Sequence, residues 1–113
     1  MGTPAVGEVV LVRFPFSDMS QLKLRPAVCL ADAGRADWVL CQVTSNAYGD
    51  PCSVTLNDAD FITGGLRRAS HARPGKLFTA NEQLIANSVG RLRDDALRRI
   101  VDAVVALLRS GIP

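Results

Sequence analysis

The stretch Pro26-Ala-Val-Cys-Leu-Ala31, Asp32-Ala-Gly-Arg-Ala-Asp37, Trp38-Val-Leu-Cys-Gln-Val43 decides the fold. Two short, nearly continuous apolar runs flank a polar segment that contains glycine. Runs this short, bounded by turn residues, read as strands buried on both faces, and so short a connection joins them as an antiparallel hairpin. Upstream, Glu8-Val-Val-Leu-Val-Arg-Phe14 is rich in β-branched residues and is ended by Pro15, which makes it another strand. Downstream, Ser53-Val-Thr-Leu56 alternates as a half-exposed strand should. His71-Ala-Arg-Pro-Gly-Lys-Leu-Phe-Thr79 predicts a strand kinked or bulged at Pro74-Gly75, and Ser88-Val-Gly-Arg-Leu92 a short one. Residues 16–24, 46–51 and 57–65 read as loops, and residues 81–85 as a single helical turn.

The last element has the clearest period. After Asp94 and Asp95, whose charge suits a helix N-terminus, apolar residues recur at Leu97, Ile100, Val101, Val104, Val105 and Leu108. That spacing predicts one apolar helix face, opposite Arg98, Arg99, Asp102 and Arg109, with Gly111 and Pro113 as the stop. Five or six short strands followed by one helix imply an α+β fold. A partly closed antiparallel β-barrel with the C-terminal α-helix packed against it buries these patterns economically.

With 113 residues, 48% hydrophobic and 21% charged, the chain suits a single domain over 1–113 and excludes a multidomain enzyme. No apolar run approaches the roughly 18 residues of a spanning helix, and Met1-Gly-Thr-Pro-Ala-Val6 has no basic, then apolar, leader pattern. A cytoplasmic protein without membrane contact is expected. Cys29, Cys41 and Cys52 form no Cys-x-x-Cys pair and His71 is the only histidine, so neither a metal nor another cofactor is expected. The formal charge is +2, yet Arg67, Arg68, Arg73 and Lys76 follow one another between residues 66 and 78 with no acid among them. Such a stripe is either a solvated strand face or a footprint for phosphate.

Four segments in order carry a family resemblance: Gly7-Glu-Val-Val-Leu-Val-Arg-Phe14, Leu24-Arg-Pro-Ala-Val28, Val43-Thr-Ser45 and Ser70-His-Ala-Arg-Pro-Gly-Lys-Leu-Phe-Thr79. Together they resemble the PemK/MazF toxins of type II toxin–antitoxin systems, over almost the whole chain. The resemblance implies an SH3-like barrel related to the CcdB toxins and a homodimer. It also implies a sequence-specific, metal-independent endoribonuclease (mRNA interferase) that cleaves single-stranded RNA and is held inactive by a cognate antitoxin. Residue by residue, the family's Arg-Pro arginine falls on Arg25, its strand-end Thr or Ser on Thr44, followed by Ser45, and its loop glutamine on Gln21. Where many relatives carry Gly-Ser-Glu-Gln, this chain has Asp18-Met-Ser-Gln21, and where many carry tyrosine it has His71.

Cleavage of RNA without a metal uses the substrate's own 2′-hydroxyl, so a proton must leave that oxygen, a dianionic phosphorane must be stabilised, and the departing 5′-oxygen must be protonated. Arg25 suits the electrostatic part, because a guanidinium donates two aligned hydrogen bonds and is a poor base. Thr44 adds a further donor. Asp18 and His71 are the candidates for proton transfer, unless the site works mainly by orienting the 2′-hydroxyl in line. Gln21, Lys23, Ser45, Arg73 and Lys76 are the candidates for binding RNA. Structural roles compete at each position: Arg25 can pair with a rim acid, Thr44 can be an ordinary strand residue, and His71 a hydrogen-bonded, half-buried one. Two other functions also fit the fold, a non-catalytic CcdB-like gyrase poison and a degenerate member that only binds RNA or antitoxin.

Overall fold

The computed structural model describes residues 3–14 and 23–113. The chain runs β1 (Glu8–Phe14), β2 (Lys23–Gly34), β3 (Asp37–Thr44), β4 (Val54–Leu56), β5 (Phe61–Gly64), β6 (Ser70–Asn81), β7 (Ile85–Leu92) and α1 (Asp94–Arg109). Short 3₁₀ turns at Asp58–Asp60 and Glu82–Leu84 lead into β5 and β7. The strands form one curled antiparallel sheet in the order β4-β6-β3-β2-β1-β7-β5, a half-barrel with α1 packed on it. None of the described helices is long and apolar enough to cross a membrane.

The apolar runs follow from burial on both faces of the sheet. Along β1, Val9 enters one core with Val28, Cys41, Val43, Ala72, Ile100 and Val104, under the helix. Its neighbours Val10 and Val12 enter a second core with Ala27, Cys29, Trp38, Leu40 and Ala80, where the sheet curls on itself. Alternation between two cores leaves no polar position in the middle of a strand, so these segments lose the period of a half-exposed strand. The β2–β3 hairpin turns through Arg35 and Ala36, both at positive φ (57° and 64°), as a tight two-residue hairpin requires. β2 continues to Gly34, further into the expected turn than the polar composition suggested.

Four expectations need correction. The sheet has seven strands, because Phe61–Gly64, expected in a loop, pairs with β7. Gly64 sits opposite Gly90, and a Cβ on Gly64 would lie 2.1 Å from the Val89 carbonyl oxygen, so only a glycine pair lets the strands approach this closely. β7 begins at Ile85, the helical turn is the 3₁₀ turn before it, and residues 23 and 24 belong to β2, paired with Phe14 and Arg13. The helix face is rotated: α1 buries Ala96, Ile100 and Val104, whereas Val105 and Leu108 are 41% and 63% exposed.

The bulge expected at Pro74-Gly75 is present. The β3–β6 register passes from Cys41↔Leu77 to Val43↔Ala72, so one residue of β3 faces four of β6. Pro74 is fully buried, and Leu107 of the helix lies 3.6 Å from where a Cβ on Gly75 would stand.

Candidate functional site

Side chains that pair across antiparallel strands share a face, so the register places the site. Thr44 pairs with His71, and His71 pairs on its other side with Thr55 of β4. Val43, Ala72 and Val54 pair one step along and point the opposite way, into the core under the helix. Continuing the β2–β3 register of Ala27↔Gln42 by one side-chain repeat brings Arg25 level with Thr44. Arg25 also pairs with Val12, and therefore shares the face that carries Val12, Ala27 and Leu40 into the second core. That face is apolar along its buried length and changes to Arg25, Thr44, His71 and Thr55 where it opens to solvent.

Within this row the Thr55 hydroxyl lies 3.3 Å from Nδ1 of His71. Thr44 Oγ1 accepts from the N–H of Asn46 at 3.2 Å and so closes the end of β3. Arg25 is exposed at the mouth of the sheet, and Lys23, also exposed, is two residues away on the same face of β2. Ser45 is exposed just beyond β3, while Lys76 is exposed within the β6 bulge, apart from the row. Asp18 and Gln21 lie outside the described residues.

Arg73 is held by its neighbours. Its Nε donates to Asp50 Oδ2 at 3.1 Å, with the two side chains only 21% and 14% exposed. Its guanidinium carbon stands 5.4 Å from the centroid of the Tyr48 ring. The carboxylate of Asp50 is fixed by the Cys52 N–H at 2.9 Å, and that bond, followed by Arg73, holds its pKa below the usual carboxylate range. Tyr48 (φ 54°) and Gly49 (φ 69°) form a tight turn closed by the Asp50 N–H on the Ala47 carbonyl. A left-handed backbone at a tyrosine costs about 1–3 kcal/mol. The segment is thus ordered at an energetic cost and projects an aromatic ring that is 69% exposed.

The cysteines separate by burial. Cys29 and Cys41 are buried, which pushes their thiols up to about 12 and about 11, whereas Cys52 is exposed. Among the described residues no group of three or more His, Cys, Asp or Glu side chains comes together.

Thr55, Tyr48 and Asp50 join the site only in three dimensions. Thr55 could be anticipated at most as an outward position of a half-exposed strand, and Tyr48 as the chain's one tyrosine inside a break of Asn, Gly and Asp. Nothing in the local sequence pairs either with β6.

Three solved structures show this fold. The MazE–MazF complex of Deinococcus radiodurans is 23% identical, with all of both chains covered and a TM-score of 0.76. An endoribonuclease in complex with its cognate antitoxin from a mycobacterial species is 18% identical over 100% of this chain and 98% of that one, with a TM-score of 0.71. The toxin MazF-mt6 of Mycobacterium tuberculosis is 15% identical over 89% and 95%, with a TM-score of 0.70. At these identities the likeness is one of fold. A search of the curated proteins finds no match. The family model of the PemK-like, MazF-like toxins of type II toxin–antitoxin systems matches residues 5–108, and the chain belongs to that family.

Proposed function

We propose that this toxin is a sequence-selective endoribonuclease that cleaves single-stranded RNA by attack of the substrate's 2′-hydroxyl, needs no metal, and acts as a homodimer restrained by a cognate antitoxin. The observation that carries the reading is the polar row Arg25, Thr44, His71, Thr55, formed where an otherwise buried sheet face opens to solvent. Family membership and the endoribonuclease and antitoxin complex among the structural neighbours support it.

In this reading the Arg25 guanidinium donates to the non-bridging phosphoryl oxygens and stabilises the dianionic phosphorane, where charge develops. Thr44 donates a further hydrogen bond to the same phosphate. His71 moves the proton: its imidazole nitrogen takes one from the 2′-hydroxyl and returns one to the departing 5′-oxygen. The 2′-oxygen bonds to phosphorus as its proton leaves, and the bond to the 5′-oxygen breaks as that oxygen is protonated. The products are a 2′,3′-cyclic phosphate and a 5′-hydroxyl. Lys23 and Lys76 supply charge along the backbone path, and Ser45 a neutral donor beside it. Asp18 and Gln21 remain candidates on the segment between β1 and β2. In a dimer two shallow faces become one groove, which an acidic antitoxin segment can occupy.

The test is incubation of long single-stranded RNA with the protein in EDTA, beside Arg25→Ala. Discrete cuts by the wild type, lowered about 100-fold or more in the variant, are expected. Cutting that EDTA abolishes, or that Arg25→Ala leaves intact, contradicts the reading. Growth arrest without any cutting instead favours a gyrase poison or a binding-only toxin.

A further inference from the structure

We infer that Tyr48 is a base-stacking platform for single-stranded RNA, held in place by Arg73 and Asp50; the inference rests on the ribonuclease reading above. An exposed tyrosine ring on a surface loop ordinarily wags. This ring does not stand alone: the Arg73 guanidinium lies against it, Asp50 fixes that guanidinium, and the Cys52 N–H fixes Asp50. The loop is further tied by the Tyr48 N–H on Asn46 Oδ1 and the Asn46 N–H on Thr44 Oγ1. The last bond ends on a residue of the proposed cleavage row and so ties the loop to it.

Position favours RNA as the ligand. His71 and Arg73 alternate with buried Ser70, Ala72 and Pro74, so both face outward on the same side of β6, about 7 Å apart along the strand. A strand whose phosphate lies at His71 can therefore set a neighbouring base on Tyr48. The described groups that hold the ring and its loop are polar: Asn46, Asp50 and Arg73. A nucleobase, with a π-face and a polar edge, fits such a place better than an apolar side chain of a protein partner. Arg73 thereby acts as a positioning residue, gripping the ring while Lys23 and Arg25 meet the backbone.

The chain has one tyrosine, so fluorotyrosine labelling gives a single ¹⁹F signal that reports Tyr48 alone. The labelled protein is titrated with 2′-O-methyl oligouridylate and oligoadenylate, which lack the attacking hydroxyl, and binding is followed in parallel by anisotropy. Movement of the signal with RNA, about 10-fold weaker binding in Tyr48→Asn and near wild-type binding in Tyr48→Phe are expected. Asparagine tolerates the left-handed backbone, so Tyr48→Asn keeps the fold and isolates the ring. Bound RNA with an unmoved signal and an unweakened Tyr48→Asn variant overturns the platform and leaves the ribonuclease reading standing. A signal that moves with protein concentration and not with RNA makes the ring a protein contact, and overturns it too. No RNA binding by the wild type overturns both.

Discussion

The Thr55 hydroxyl lies 3.3 Å from Nδ1 of His71, on the side of the imidazole away from Thr44. A hydroxyl there fixes the ring and leaves Nε2 as the nitrogen available to a substrate. Removing the hydroxyl frees the ring without removing it. Thr55→Val is expected to slow RNA cleavage by about 10-fold, whereas His71→Ala loses about 100-fold or more. Single-turnover cleavage rates measure both. A Thr55→Val rate equal to that of the wild type removes Thr55 from the site.

Asp60 ties the turn before β5 to the helix. Its Oδ2 accepts from the Asn57 N–H at 2.8 Å and its Oδ1 from Arg99 at 2.9 Å. The Asn57 N–H first, then Arg99, hold its pKa below the ordinary value, against an opposing effect of partial burial. A depressed carboxylate pKa contributes stability that is complete above about pH 4, the unfolded value, and is lost as pH falls through the folded one. Asp60→Asn is therefore expected to cost about 1 kcal/mol at pH 7, discounted for the half-exposed Arg99, and less as pH falls through the lowered value. Urea unfolding at a series of pH values checks this; equal losses at both ends deny the linkage.

The rotated helix face separates two residues that the sequence period places on one apolar face. Ile100 is fully buried against the sheet, and Leu108 is 63% exposed. Ile100→Ala is expected to destabilise the protein by about 2–5 kcal/mol, and Leu108→Ser by no more than about 0.5 kcal/mol. Denaturant midpoints of the two variants give the comparison. A large loss for Leu108→Ser in dilute solution would place that face against the sheet or a tight partner.

The β2–β3 hairpin was legible because strands buried on both faces are written as unbroken apolar runs around a short polar turn. The helix was legible as a period, but its core face was not. Ala96, Ile100 and Val104 are buried with Leu97 packed partly against them, whereas Val105 and Leu108, which fit the same period, stay exposed. β5 was hidden because its pairing depends on Gly64 meeting Gly90, a contact between residues far apart in the chain. Arg25 and Thr44 were nameable from family motifs and His71 as a departure from them, while their alignment in one row depends on the registers of β2, β3 and β6. Arg73, expected among free cations, is committed to Asp50 and Tyr48, which no local pattern foretells.

Attack by the 2′-hydroxyl has its decisive test in an RNA carrying one 2′-deoxynucleotide on the 5′ side of a mapped cut, incubated with the wild-type protein, with all product ends identified. The substituted RNA is expected to be bound and left whole, and its unmodified counterpart to yield a cyclic phosphate and a 5′-hydroxyl. Cleavage at the deoxy position, leaving a 3′-hydroxyl and a 5′-phosphate, rules out 2′-hydroxyl attack.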